Sequence, residues 1–351
     1  MAVTADDVAT VAGVSTATVS RAMRGLPRVS PKTREKILAI AEDLGYVASS
    51  SASGLATGRT RTVGVLAPYV NRWFFSAALD GVCQELHGRG YNLSLFNLGG
   101  GRSRNRDRAF NRTMVQKHID ALLVLCTPLT KEEIKHLHQV DMPLIVIGGP
   151  VIGCSSVAID DYAVAEQATN HLISLGHKDI ALLHGDDDSA LKFAVPILRI
   201  KGFKDSMVRA EIPIRKQWDR FGDFTAVSGR RALVSLWEQP GPRPTAIFCA
   251  SDEMAFGVIF EARRLGISVP GDLSVIGIDD HELSEAVGLT TIRQSPTDQA
   301  QIGTKMLLDE LAGHRGAVRT VVASHELMVR DSTAPLQVSR PSHARARGPG
   351  A

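Results

Sequence analysis

The chain has 351 residues, 44% of them hydrophobic and 22% charged, with 40 Lys and Arg against 37 Asp and Glu and a formal net charge of +3. That length has room for more than one folded unit, and a surplus of three charges does not by itself argue for a polyanionic partner. The opening MAVTADDVAT carries two acids, and no run reaches the roughly 18 apolar residues of a membrane span, which argues against a leader or anchor and for a cytoplasmic protein. Cys83, Cys126, Cys154 and Cys249 are widely spaced with no CxxC pair, so they read as reduced thiols, Cys126 and Cys249 in the core, rather than as a zinc site.

The first element is signalled by Thr4-Ala5-Asp6-Asp7, a hydroxyl cap followed three residues on by a carboxylate. Val8, Val11 and Ala12 continue at helical spacing, and Gly13 suits a tight turn. Ser15 caps a second helix whose inward stripe is Val19, Ala22 and Met23, which turns Thr16, Ala17, Ser20, Arg21 and Arg24 outward. Ser30-Pro31 opens a third helix with apolar face Ile37, Ile40, Ala41 and Leu44, closed by Gly45. Between Thr16 and Lys36, six bases (Arg21, Arg24, Arg28, Lys32, Arg34, Lys36) stand against the single acid Glu35. Such a cluster is able to neutralise phosphates, and a short polar helix face fits a major groove about 12 Å wide. A three-helix bundle with a merely solvated basic face fits the same pattern.

The stretch DVATVAGVSTATVSRAMRG followed by RVSPKTREKILAIAEDLGY resembles the DNA-binding headpiece of the lactose-repressor (LacI/GalR) family, most specifically through AGVS-x-x-TVSR. The resemblance implies a helix-turn-helix in which Thr16, Ala17 and Arg21 read bases, while Thr4, Ser15, Thr18, Ser20, Arg24 and Ser30 contact the backbone. Arg24 stands where the family usually has asparagine. Residues 47–60, VASSSASGLATGRT, fall where the family has a hinge helix that forms on DNA and wedges a leucine into the minor groove; Ala52 and Leu55 match it. Four serines and Gly54 are poor helix formers, so a flexible linker is the competing reading.

From residue 61, β-branched runs alternate with helical stretches, the signature of parallel α/β folding. Expected strands are Thr62–Ala67, Asn92–Phe96, Ala121–Cys126 and Leu144–Ile147, then Asp179–Leu183, Ala246–Cys249 and Leu273–Ile278. TVGVLAP corresponds to KDIALLHGD, DALLVLC to TAIFCAS, and PLIVIGG to LSVIGIDD, with spacing that drifts slowly. Two similar subdomains with facing strand ends would enclose a cleft.

The family resemblance extends through IDDYAVAEQATNHLISLGHKDIALL and LGISVPGDLSVIGIDD, with LTTIRQ after it. It implies a core like that of periplasmic sugar-binding proteins, over residues 61–330, split into 61–159 plus 292–322 and 160–290 plus 323–330. Phe74, Phe75, Arg199, Phe224, Ser251 and Asp279 match the family's effector-binding positions. Trp73 replaces a usual proline, Gly148-Gly149 an Asp-Arg pair, Ser251 a common asparagine, and Ile197 an arginine of some members. An aromatic wall with one arginine and one carboxylate suits a polyhydroxylated molecule such as a sugar, or a planar polar metabolite.

Other constellations read as structural. Asp279-Asp280-His281 has no partnered nucleophile or base. Gly185-Asp186-Asp187-Asp188 lacks calcium-loop spacing, and Gly99-Gly100-Gly101 lacks the Lys-Ser/Thr of a phosphate loop. His136 and His138 diverge on a helical pattern. Arg102 to Arg112 reads as a solvated loop, and residues 331–351, rich in Pro, Gly, Arg and Ser, as a disordered tail. The expectation is an all-α headpiece (1–46) and hinge (47–60) on an α/β core of two parallel-sheet subdomains, with no cofactor, metal or catalytic residue. Its expected partners are palindromic operator DNA, a small effector and a second copy of the chain, with dimers able to pair into tetramers. A solute-binding receptor and a sugar-processing enzyme are the rival classes; the headpiece speaks against the first and the missing catalytic set against the second.

Overall fold

The computed structural model describes residues 3–23, 25–46, 59–99, 118–139, 141–185 and 194–337. Three short helices come first: α1 (Ala5–Ala12), α2 (Thr16–Met23) and α3 (Pro31–Asp43). The Thr4–Asp7 capping box forms in both directions, with Thr4 N donating to Asp7 Oδ2 at 2.8 Å. Gly13 ends α1 at φ 71°, a left-handed conformation in which a Cβ is unfavourable. The core is Val8, Ala9, Ala12, Val19, Ala22, Ile37 and Ala41, with Met23, Ile40 and Leu44 packed at its edge.

Beyond residue 60 lie two six-stranded sheets. The first has β1 (Thr62–Ala67), β2 (Asn92–Asn97), β3 (Ala121–Leu125), β4 (Leu144–Ile147), β5 (Ser155–Ala158) and β11 (Thr320–Val322), in the order β11-β5-β4-β3-β1-β2. The second has β6 (Ile180–His184), β7 (Asp219–Phe221), β8 (Ala246–Cys249), β9 (Ser274–Asp279), β10 (Thr290–Arg293) and β12 (Glu326–Met328), in the order β12-β10-β9-β8-β6-β7. The orders correspond strand for strand, and only the β10–β12 pair is antiparallel. The central strands β1, β3, β4, β6, β8 and β9 are almost wholly buried, as expected of parallel strands covered on both faces.

Helices α4 (Trp73–His87), α5 (Lys131–Gln139) and α11 (Pro296–Leu311) belong to the first sheet. Helices α6 (Asp161–Ser174), α7 (Ala194–Arg209), α8 (Ala226–Glu238), α9 (Asp252–Arg264) and the single turn α10 (Ser284–Val287) belong to the second. The chain passes between the halves after β5, after β10 and between β11 and β12. Gly81 lets α4 approach α11 so closely that a Cβ there would lie 2.4 Å from the Thr297 carbonyl oxygen.

Three expectations need correcting. Thr290–Arg293 pairs with β9 and β12, so the second crossing falls after Arg293, and a boundary between 290 and 292 cuts through a strand. Residues 331–337 are docked, not disordered: Thr290 N donates to Ser332 Oγ at 2.8 Å, Leu336 N to the Leu175 carbonyl at 2.9 Å, and His177 pairs with the Ala334 carbonyl at 3.0 Å. Hydrogen bonds to β10, to the end of α6 and to His177 outweigh the polar composition of this segment. Cys126 is not core; it is partly exposed and ends β3 at the cleft described next, whereas Cys249 is fully buried. Among the described residues no helix is long and apolar enough to cross a membrane, and no group of side chains is arranged to hold a metal ion.

Candidate functional site

On α2 the spacing of the inward residues decides what faces out. Val19 and Ala22 are buried, which leaves Thr16, Ala17 and Arg21 exposed on one side of a short helix. The hydroxyls beside them have structural work as well. Ser15 Oγ accepts from Thr18 N at 3.2 Å, and the two hydroxyls lie 2.9 Å apart. Ser30 Oγ accepts from Thr33 N at 3.2 Å, and Thr4 closes its capping box; Ser20 is half-buried. Of the basic cluster, Arg34 donates to the Leu26 carbonyl at 2.7 Å and Lys36 to the Ala12 carbonyl at 3.0 Å, so two cations also brace the helices. Arg24, Ala52 and Leu55 lie outside the described residues. The chain re-enters the first subdomain at Thr60 and Arg61, whose backbone N–H groups donate to the Asp120 carboxylate at 2.7 and 2.8 Å.

The second site is a cavity of about 380 Å³ between the two sheets. Parallel strands aim their carboxyl ends the same way, and here both sets of ends face each other. Pro68 follows β1, Cys126 follows β3, Gly148 follows β4, and Ile159 follows β5. Opposite them stand Gly222 after β7, Ser251 after β8, Asp279 at the end of β9 and Gln294 after β10. All six residues expected in the cleft (Phe74, Phe75, Arg199, Phe224, Ser251 and Asp279) line it.

Phe74 and Phe75 meet edge to face at 5.5 Å, and Tyr69 extends the aromatic wall 6.0 Å from Phe75. Phe224 lies over Gly185, where a Cβ would come within 2.1 Å of its ring. Gly148, at φ 86°, has no room for a side chain because Cys126 Sγ would lie 2.1 Å from its Cβ. Gly148 and Cys126 therefore form a thiol-backed floor to the cleft. Phe224 (φ 59°), Cys126 (φ 40°) and Asp279 (φ 136°) are all in backbone regions unfavourable for side-chain-bearing residues, a concentration of strain common at binding sites.

Arg199 is 5% exposed, and two of its nitrogens are spent on the protein: Nε on Asp161 Oδ1 at 2.8 Å and Nη1 on the Ala250 carbonyl. Burial pushes the Asp161 carboxyl up while this guanidinium pulls it down. Asp252, at the start of α9, is fully buried and accepts from Thr291 Oγ1 (2.6 Å), Ser284 Oγ (2.7 Å) and His281 N (2.9 Å). Burial nevertheless raises it to about 6. Asp279 is raised further, to about 8, by burial and then by the nearby Asp252 charge. Asp280 is clamped by Arg293 at 2.7 Å and Arg330 at 2.6 Å, an arrangement that fixes the turn after β9 rather than presenting an acid.

Ser251 Oγ accepts from Met254 N at 3.3 Å as the cap of α9, which leaves its O–H free to be donated. Trp73 stands outside the lining, against His281, and Ile197 is exposed and does not line the cleft. Sequence reasoning missed Tyr69, Arg72, Asp161, Glu253, Gln294 and Gln299 as lining residues. For Gln299 a signal existed: it interrupts the apolar stripe Pro296, Ala300, Gly303, Leu307 of α11.

The family model described as bacterial regulatory proteins, lacI family, matches residues 4–49, and that of the periplasmic binding protein-like domain matches residues 169–333. One relative, the HTH-type transcriptional repressor PurR of Vibrio vulnificus (strain CMCP6), is 35% identical over 337 residues, covering 94% of this chain and 98% of its own. The chain belongs to the lacI family of bacterial regulators. Catabolite control protein A of Priestia megaterium is 33% identical over 339 residues, covering 95% of this chain and all of its own. The lac repressor dimer bound to operator and the anti-inducer ONPF superposes with a TM-score of 0.82 at 27% identity, over 95% of this chain and 100% of that one. The transcriptional regulator CelR in complex with cellobiose gives 0.69 at 29% identity, over 94% and 99%. This lacI-family chain is a DNA-binding transcription regulator and not an enzyme, and its fold of headpiece plus two parallel-sheet subdomains is the one the sequence predicts.

Proposed function

We propose that the chain is a transcriptional repressor that binds a palindromic operator as a homodimer and is controlled by a small polar metabolite in the cleft between its subdomains. The observation that carries this is the cleft itself: one cavity walled by strand ends of both sheets, joined by three crossings, so that a ligand touching both walls sets their relative angle. Thr16, Ala17 and Arg21 read base edges, while Thr4, Ser15, Thr18, Ser20, Arg24 and Ser30 fix the register on phosphates. The hinge, with Ala52 and Leu55 toward the minor groove, leaves the first subdomain at Thr60, which Asp120 anchors. A change of cleft angle thereby changes the separation of two hinges in a dimer, and the effector acts only through its unequal affinity for the two arrangements. The site of action is the cytoplasm, on the nucleoid.

Gel shifts on the region upstream of the protein's own coding sequence, across a salt series and with or without a small-molecule cell fraction, test the reading. The expected result is a palindrome-dependent, salt-sensitive complex whose affinity the fraction changes. Failure to retard any palindrome under either condition overturns it.

A further inference from the structure

Gln299 is a polar residue at odds with its surroundings. It lies on the buried face of α11, is 1% exposed, and lines the cleft. Its Nε2 donates to Gln294 Oε1 at 3.1 Å, and Gln294 Nε2 donates to Asp279 Oδ1 at 2.7 Å. This row of amides runs from the end of β9 in the second subdomain, through the crossing residue, to a helix of the first. At its near end Gln299 Oε1 is buried with no hydrogen-bond partner among the described residues. A buried acceptor left unpaired is costly, and one in a cavity wall is an address for a donor.

The charges around it limit what that donor belongs to. Both arginines among the described lining residues have partners in the protein: Arg199 donates to Asp161 and the Ala250 carbonyl, and Arg72 donates one nitrogen to the Asp223 carbonyl while it stacks 4.0 Å over Tyr69. Asp223 and Glu253, both lining, also lie in the field of Arg72. Asp279, raised to about 8, holds its proton at neutral pH and is still able to accept from Gln294 on Oδ1. The two lining arginines already face the carboxylates of Asp161, Asp223 and Glu253, so a phosphate or carboxylate entering here would be desolvated without a surplus of positive charge to meet it.

We propose that the cleft takes an uncharged ligand that lays a ring against the Tyr69–Phe74–Phe75 wall and donates a hydroxyl or N–H to Gln299 Oε1, making Gln299 a specificity-determining residue. The proposal rests on the effector reading above. It adds both the charge class of the ligand and the contact at Gln299 on α11.

The test is thermal shift of the full chain with matched probes: glucose and glucose 6-phosphate, ribose and ribose 5-phosphate, adenosine and adenosine monophosphate, each at saturating concentration. A neutral probe is expected to raise the melting temperature, and its phosphorylated partner is expected not to. Titration of that probe into Gln299→Met, which has no acceptor oxygen, should show affinity reduced about tenfold. Gln299→Glu, which keeps an acceptor but loses the donation to Gln294, should retain it. A larger shift with the phosphorylated member, or unchanged affinity in Gln299→Met, overturns the proposal. Failure of every probe to shift a parent chain that still retards its operator overturns the proposal too. That outcome counts against the effector reading, whereas a ligand indifferent to residue 299 counts only against the inference.

Discussion

Trp73 and His281 meet from the two subdomains, their ring centroids 5.2 Å apart and tilted by 36°. Trp73 opens α4 of the first subdomain, and His281 follows β9 of the second, where Phe256 holds it edge-on at 5.3 Å. The contact exists only while the subdomains keep this spacing, so it belongs to one cleft angle. An aromatic pair of this kind contributes about 0.5–1.5 kcal/mol beyond its buried area, or roughly two- to tenfold in an open–closed equilibrium. Trp73→Ala should therefore shift the population toward wider clefts. Small-angle scattering should show a larger radius of gyration for the variant, and an unchanged profile would mean that the stack does not hold the angle.

The paired carboxylates on the other side of that turn make stability depend on pH. Asp279 titrates near 8 when folded, held up by burial and by Asp252, against an ordinary value of 3.8. Between those values the unfolded chain has released the proton that the folded chain retains, so this group lowers stability as pH rises from about 4 to 8. Asp252, raised to about 6, acts in the same direction over a narrower window. Asp279→Asn keeps the shape and removes the titration. Urea unfolding should find the variant more stable than the parent at pH 8, with the difference shrinking toward zero near pH 4. A variant that is less stable at pH 8 would show that the carboxylate form is favoured in the fold.

What was legible in the sequence follows from where physical signals are local. Thr4, Ser15 and Ser30 cap helices with their own neighbours, so the three helices could be read from spacing, while their DNA-binding role came from family likeness. The central strands of each sheet are continuous apolar runs, and β1, β4 and β8 match their expected ends. Edge strands such as Asp219–Phe221 and Thr320–Val322 are short and half-exposed, and only a neighbouring strand makes them strands. In the cleft, Phe74, Phe75, Arg199, Phe224, Ser251 and Asp279 came from family likeness. The commitment of Arg199 to Asp161 is a contact over 38 residues of sequence, which spacing does not reveal.

Arg21 and Thr4 separate two kinds of headpiece residue. Arg21 is exposed on the outward face of α2, and Arg21→Ala should cost about 1–3 kcal/mol of operator affinity while relaxing preference at one base pair. A uniform loss across operator variants would make it a phosphate contact. Thr4 caps α1 through both halves of a capping box. Thr4→Ala should therefore lower headpiece stability by about 1 kcal/mol, seen as earlier melting of the helical signal in the absence of DNA. An unchanged melt combined with weaker operator binding would assign Thr4 to DNA alone.

Gly148 and Cys126 define the cleft floor by mutual exclusion. Gly148 sits at φ 86°, and an added Cβ would come within 2.1 Å of Cys126 Sγ and 3.5 Å of the Phe74 ring. Gly148→Ala thus meets two penalties, a backbone conformation worth about 1–2 kcal/mol and an overlap of the size that overpacked cores show, about 1–3 kcal/mol. Cys126→Ala removes the sulfur, which lines the cleft with its thiol pushed up from the ordinary range by burial. The double variant should recover the overlap part and not the backbone part, leaving it more stable than Gly148→Ala alone yet less stable than Cys126→Ala. Chemical denaturation of the four proteins closes this cycle. Strict additivity would show that the clash relaxes elsewhere in the floor, and the reason for a glycine at 148 would then be its backbone angle alone.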